Sequence, residues 1–224
     1  MLLIVIIYGL TFYLGEYISN KAGVPHSATS LMLAVFLACT YIFYIKRKYG
    51  TVFKKVQGKK VFMLPFSLLP LWDIVYLCLH GGSFSFNLFG CVTSVLCGIA
   101  EEFAFRGYLL KKLSVLFKQN LILVSAVNGL LFGVFHCINF FSAAADVVLL
   151  QALCAAATGF ALCAAVFLYK SLLPAVCIHA VINFFGSAVN FEKSTTANTV
   201  AFMLIAVCNI ITGVWMIKSK ERNI

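Results

Sequence analysis

The chain has 224 residues, of which 62% are hydrophobic and 11% are charged, and its formal net charge is +10 at pH 7. Soluble domains usually carry about a quarter charged residues, so this composition excludes an ordinary soluble domain and indicates an integral membrane protein. In a soluble protein, a positive net charge of this size would suggest that the protein binds nucleic acid. Here we expect membrane lipids as partners and no nucleic acid, because the basic residues lie between apolar segments.

Eight apolar segments follow one another along the chain, and each has the length that crosses about 30 Å of hydrocarbon as a helix. Helices satisfy their own backbone in lipid, and the sequence lacks the alternation of a membrane barrel. We therefore predict an all-α bundle of about eight transmembrane spans that forms one domain over residues 1–224. The predicted spans are 1–18, 28–45, 61–79, 84–105, 121–141, 147–169, 172–191 and 198–217.

The basic residues alternate between the two sides of the predicted bundle. Fifteen of the 17 lie between spans two and three or follow spans four, six and eight, and only Lys21 and Lys193 lie on the other side. The positive-inside rule then predicts a multi-pass protein of the cell membrane with both termini in the cytoplasm. The longest polar loop, 46–60, is expected on the cytoplasmic side, and short turns at 80–87 and 190–198 are expected on the outer side.

Two carboxylates and a guanidinium interrupt the fourth apolar segment, in the sequence GIAEEFAFRGYLL. In a helix, Glu102 and Arg106 are one turn apart and can pair, whereas Glu101 is rotated by about 100°. We interpret Glu102–Arg106 as an ion pair that makes the buried charges tolerable, which leaves Glu101 free for chemistry. The alternative is that all three side chains extend to the cytoplasmic interface.

Three polar residues in later segments are candidate partners of Glu101. His136 lies in FGVFH, and His179 and Asn183 share one helical face in HAVIN. Each alone is typical of a structural polar residue between membrane helices. Together with Glu101 they could converge inside the bundle, although a rise of 1.5 Å per residue places His136 roughly 8–10 Å deeper than the others.

These groups suit hydrolysis of an amide by activated water. A desolvated carboxylate can accept a proton from water as a general base, and a neighbouring histidine can orient that water. A second histidine and an amide can donate hydrogen bonds to the oxygen that gains negative charge. The sequence contains neither a GxSxG pattern nor an HExxH pattern.

Three short motifs resemble those of the CPBP family of intramembrane proteases, which includes type II CAAX prenyl endopeptidases and bacteriocin-processing enzymes. They are EEFAFR (101–106), FGVFH (132–136) and HAVIN (179–183), which match the patterns EExxxR, FxxxH and HxxxN. The resemblance covers about residues 90–190, and no motif position departs from the pattern.

The resemblance implies an intramembrane endopeptidase of the glutamate type that acts on a peptide or lipidated protein substrate. It implies that Glu101 is the catalytic base and that His136 helps to bind the water. By the same resemblance, His179 and Asn183 stabilise the oxyanion, while Glu102 and Arg106 support the site.

Several alternatives stay open at this point. We expect no cofactor, but a divalent metal such as zinc, held by Glu101, His136 and His179, would fit a three-ligand site with an open position. A non-catalytic immunity or scaffold protein could keep the same fold. A transporter could use Asp73, Glu101 and the histidines as a proton relay. Asp73 matches no family motif and either lines the cavity or pairs with a basic residue.

Overall fold

The computed structural model describes residues 3–41, 60–80, 87–141, 143–187 and 196–222. Of these residues 91% are helical and none forms a strand, so the predicted all-α fold is confirmed. The loop predicted over 46–60 and the turns predicted over 80–87 and 190–198 lie almost wholly outside the described residues. Within the last of these, Thr196 to Asn198 belong to a helix rather than to a turn.

Eight helices follow one another along the described chain. They are α1 (Leu3–Ala22), α2 (Ser27–Cys39), α3 (Leu68–His80), α4 (Leu88–Leu116), α5 (Leu121–His136), α6 (Ala145–Tyr169), α7 (Leu173–Gly186) and α8 (Thr196–Glu221). Asn87 and Asn120 accept backbone N–H bonds at the starts of α4 and α5, which is the usual role of an asparagine N-cap.

The prolines explain why the third predicted span is not one regular helix. Residues Lys60–Ser67 form a 3₁₀ helix that contains Pro65, and α3 begins only at Leu68. Pro70 is tolerated in the first turn of α3 because the N–H that it lacks would have no partner there. A helical segment therefore lies where span 61–79 was predicted, but its first turns have 3₁₀ rather than α geometry, and it is shorter than the four helices that could cross a membrane.

Helix α4 is longer than predicted and changes its winding in the middle. The span predicted over 84–105 instead runs from Leu88 to Leu116. It consists of an α-helical part to Glu102, a π-helical part from Phe103 to Leu109, and a final α-helical part. The N–H of Leu110 bonds the carbonyl of Phe105, five residues earlier. A π segment is rare and is often found at functional sites.

Four helices of the described chain are long and apolar enough to cross a membrane, which supports a membrane protein. They are Leu88–Leu116, Leu121–Phe140, Ala145–Tyr169 and Thr196–Glu221. Three shorter apolar helices, Ser27–Cys39, Met63–Leu79 and Leu173–Gly186, accompany them. By length and composition the structure thus supports four full spans among eight helices, and the predicted orientation of the termini stays a prediction.

Close packing of α4 against α7 brings two of the three motifs together. The contact is tight at Gly98, where an added Cβ would lie 3.2 Å from Nδ2 of Asn183 and 3.3 Å from the backbone nitrogen of Ala180. Helix α5 packs against α6, α6 packs against α8, and α1 packs against α2. The motif residues therefore project into the interior of the bundle, where α1, α4, α5 and α7 meet.

Candidate active site

A cavity of about 780 Å³ lies inside the bundle, and most of the predicted site residues line it. Glu101, His136, His179 and Asn183 all line it. Glu101 is 7% exposed and His179 is 5% exposed, so the two side chains are nearly removed from solvent. The greater depth expected for His136 does not separate it from the others, because the cavity extends far enough to reach it.

The second carboxylate, Glu102, lies behind the cavity rather than in it. It is fully buried, and its Oε1 accepts a hydrogen bond of 2.8 Å from Arg106. Arg106 is also buried, and its guanidinium lies over the ring of Phe132 at 4.3 Å from the centroid, a favourable cation–π distance. The predicted Glu102–Arg106 ion pair is therefore present, and neither of its members lines the cavity.

Room for the Arg106 guanidinium depends on a glycine of α6. A Cβ added at Gly159 would lie 2.9 Å from Nη2 of Arg106 and 3.1 Å from the ring of Phe132. The distances leave no space for a larger side chain unless the arginine moves. Gly159 therefore helps to place the ion pair, although it belongs to none of the three motifs.

His179 bridges the two carboxylates. Its Nδ1 lies 2.8 Å from Oε1 of Glu102, and its Nε2 lies 3.4 Å from Oε2 of Glu101. Because a carboxylate only accepts hydrogen bonds, Nδ1 carries a proton that it donates to Glu102. The other ring nitrogen is then directed at the carboxylate that lines the cavity.

His136 is oriented by its own helix. Its Nδ1 lies 2.9 Å from the carbonyl oxygen of Phe132. A carbonyl can only accept, so Nδ1 is the donor, and Nε2 is left as the second functional nitrogen of the ring. The ring of Phe132 packs edge-on against both histidines, with centroids 4.6 Å from His136 and 5.6 Å from His179.

The most direct partner of Glu101 comes from outside the three motifs. The hydroxyl of Tyr8, in α1, donates a hydrogen bond of 2.8 Å to Oε1 of Glu101. Tyr8 is 4% exposed, and its ring is packed between Phe36 and Phe135. Sequence reasoning missed Tyr8, because one tyrosine among nine in an apolar chain carries no local signal.

The side-chain amides of Asn183 and Asn128 each donate a hydrogen bond to a backbone carbonyl of α4. Nδ2 of Asn183 donates to the carbonyl of Ser94 at 3.2 Å, which ties α7 to α4 and holds the amide at the cavity wall. Nδ2 of Asn128 donates to the carbonyl of Phe105 at 2.9 Å, inside the π segment. Asn128 therefore stabilises the altered winding of α4, whereas Asn183 lines the cavity.

The zinc site considered from the sequence would need Glu101, His136 and His179 to act together as ligands. The second nitrogens of His136 and His179 are held by a carbonyl and a carboxylate, as they are in many metal-ligating histidines. Even so, among the residues that the structure describes, no three His, Cys, Asp or Glu side chains are grouped closely enough to hold a metal ion. Glu101 and His179 adjoin each other, and the expectation that no metal or cofactor takes part stays a prediction.

Comparison with known proteins agrees with the geometry. Residues 83–185 match the family model described as "Type II CAAX prenyl endopeptidase Rce1-like", and this range contains all three motifs. No curated protein and no solved structure matches the chain. The family is a protease family, which implies a peptide or protein substrate and membrane association. The match over residues 83–185 supports the similarity of the chain to the CPBP family of intramembrane proteases.

Proposed function

We propose that the protein is an intramembrane endopeptidase that hydrolyses a peptide bond of a membrane-associated peptide with water activated by Glu101. One observation carries the proposal: the two adjacent carboxylates are separated, with Glu101 lining the cavity and Glu102 buried behind it against Arg106. A scaffold protein would need only the ion pair. A hydrolase also needs a carboxylate in contact with the substrate, and Glu101 lies in a cavity with two histidines and an amide.

Glu101 has the surroundings of a general base. Tyr8 holds Oε1, so the carboxylate has a fixed orientation. Among the described residues, Oε2 has no hydrogen-bond partner, and His179 Nε2 lies 3.4 Å from it. We assign to Glu101 the removal of a proton from water, with formation of the bond between the water oxygen and the peptide carbonyl carbon. The same carboxyl group then returns the proton to the leaving nitrogen as the C–N bond breaks.

His136 and His179 have different parts in this scheme. The Nε2 of His136 is left to accept a hydrogen bond from the attacking water, because Nδ1 is committed to the Phe132 carbonyl. In this scheme His179 acts as a donor: its Nδ1 donates to Glu102, and its Nε2, directed at the cavity, donates to the oxygen that gains negative charge.

The oxyanion of the tetrahedral intermediate would be stabilised by His179 Nε2 and Asn183 Nδ2. Both groups line the cavity, and both are held by α4, through Glu102 and Ser94 respectively. Donors that are fixed before the reaction need no reorganisation, and loss of one typically lowers the rate by about 10²–10³-fold. We propose that no metal takes part, since this set already supplies a base and two donors.

A peptide library tests the proposal. Purified full-length protein in detergent is incubated with a mixture of apolar peptides, including lipidated peptides and bacteriocin-type leader peptides, and the products are identified by mass spectrometry. We expect the unmodified protein to cleave some of the peptides. We expect Glu101→Gln to cleave none of them while keeping the same melting temperature. Equal products from both proteins would show that a contaminant or another residue is responsible. The substrate arms also show whether leader peptides are preferred over prenylated ones.

A further inference from the structure

A second carboxylate, Asp73 of α3, lines the same cavity as Glu101. It is 5% exposed. Within the part of the chain that the structure describes, no hydrogen bond and no ion pair reaches it. The sequence left open whether Asp73 pairs with a basic residue or lines the cavity, and the structure shows the second arrangement.

An isolated carboxylate inside a membrane bundle is costly, and such residues usually mark a path or a binding site. Helix packing does not explain the Asp73 carboxylate, because another residue already links α3 to α8. Trp72 Nε1 donates a hydrogen bond of 3.3 Å to Asn198. Asp73 takes no part in that hydrogen bond. The carboxylate is available to a group that enters the cavity from outside the chain.

The charges around the cavity favour a cation as that group. The chain has 17 lysine and arginine residues, yet none of the described ones lines the cavity, where the described carboxylates are Asp73 and Glu101. His26 also lines the cavity, but its Nδ1 lies 2.9 Å from Oε1 of Glu16, so this imidazole is paired with another carboxylate. The described residues that line the cavity thus offer Asp73 no lysine or arginine partner, although the chain has a formal net charge of +10.

We propose that Asp73 is a subsite for a positively charged group of the substrate: a lysine or arginine side chain, or a free amino terminus. The inference rests on the proposed function in taking the substrate to be a peptide whose scissile bond lies at Glu101. Pairing with Asp73 would fix the register of the chain in the cavity and so select which bond is cut. A guanidinium would fit best, since it can form two parallel bonds with a carboxylate.

Binding of matched fluorescent peptides tests the subsite without requiring cleavage. One apolar peptide carries a single arginine, its partner carries citrulline at the same place, and a third has an acetylated amino terminus. We expect the arginine peptide to bind full-length protein in detergent about 10- to 100-fold more tightly than the citrulline peptide. A preference abolished by acetylation instead would assign the subsite to the amino terminus, and either preference supports the proposal.

Three variants locate the preference. Asp73→Asn should remove it, Asp73→Glu should retain much of it, and Asp146→Asn should leave it unchanged. Asp146 is a matched control because it is an exposed aspartate in the first turn of α6 that does not line the cavity. Thermal melts of each variant show whether it is folded. If Asp73→Asn does not fold, the unmodified protein still allows the arginine and citrulline peptides to be compared.

Two results would overturn the proposal: equal binding of the charged and uncharged peptides by the natural sequence, or a preference that persists in folded Asp73→Asn. Proton flux into liposomes that depends on Asp73, together with unchanged peptide binding, would assign the residue to proton transfer instead. Failure of the proposed function is distinguishable, because it would appear as an arginine preference without any cleavage of the bound peptides.

Discussion

The hydroxyl of Tyr8 donates a hydrogen bond of 2.8 Å to Oε1 of Glu101, and this contact joins α1 to α4 across 93 positions of sequence. It also divides the Glu101 carboxylate into two unlike oxygens, one held by the tyrosine and one beside His179. The base that the proposed mechanism needs is thus oriented by a residue outside the matched family region, 83–185.

Tyr8→Phe tests this orientation. We expect kcat to fall about 10- to 100-fold, because a hydrogen bond to a charged group contributes roughly 1.5–3 kcal/mol, while KM stays nearly the same. Peptide cleavage by the purified variant measures both constants. Tyr17→Phe is the matched control, since Tyr17 is an exposed tyrosine of the same helix that does not line the cavity. Unchanged kcat in Tyr8→Phe would remove the tyrosine from the mechanism.

The two adjacent acids should fail in different ways when each is made neutral. Glu101→Gln should abolish cleavage and leave the melting temperature nearly unchanged, because its role is chemical. Glu102→Gln should lower the free energy of unfolding by about 3–5 kcal/mol, since it removes the charge partner of buried Arg106. Thermal melts in detergent and cleavage assays separate the two effects. A melt that falls for Glu101→Gln alone would reverse the assignment.

Gly159→Ala should destabilise the protein although it adds only one methyl group. The new Cβ would meet Nη2 of Arg106 at 2.9 Å, and overpacking of this kind costs about 1–3 kcal/mol. Gly9→Ala is the control, because an added Cβ there has nothing within 4 Å and alanine has the higher helix propensity. We expect the melting temperature to fall for the first variant and to hold or rise for the second.

Cleavage should survive removal of metal ions. A carboxylate that activates water directly needs no ion, so incubation with a strong chelator followed by buffer exchange should leave the rate unchanged. Elemental analysis of the purified protein should find well under one zinc per chain. Stoichiometric zinc whose removal stops cleavage, and whose return restores it, would make Glu101, His136 and His179 ligands instead.

The orientation in the membrane can be tested at position 55. The basic segment 46–60 is predicted to be cytoplasmic, so Lys55→Cys should react with a membrane-impermeant maleimide only after cells are opened. Labelling of the natural sequence, which has nine cysteines, gives the background. Reaction of Lys55→Cys in intact cells would contradict the predicted orientation of both termini.

Local spacing predicted the parts of the site that lie on one helix. The four-residue separation of Glu102 and Arg106 was enough to predict their pairing, and the pair forms even though Arg106 lies in a π-helical segment. The shared face of His179 and Asn183 was predicted in the same way, and both line the cavity. Helical periodicity fixes such relationships before any tertiary contact is known.

Relationships between helices could not be predicted in this way. Nothing near Tyr8 in the sequence indicates that its hydroxyl reaches Glu101, and nothing near Gly159 indicates the Arg106 side chain. His136 was expected at a greater depth, because counting residues from the membrane boundary treats every helix as straight and parallel. The π segment was not foreseen either, since its sequence, FAFRGYL, also suits an α-helix.

The π-helical segment of α4 sets the rotation between the two α-helical parts of that helix. One surplus residue separates the α-helical parts on either side, so deleting a residue between Phe103 and Leu109 would restore regular winding. The same deletion would turn one part by about 100° relative to the other. Either the Glu101–Glu102 pair would leave its partners, or Leu110 and Leu113 would leave the core that they now share with Phe105. The irregular winding therefore lets one helix place its carboxylates beside their partners and its later leucines in the core at the same time.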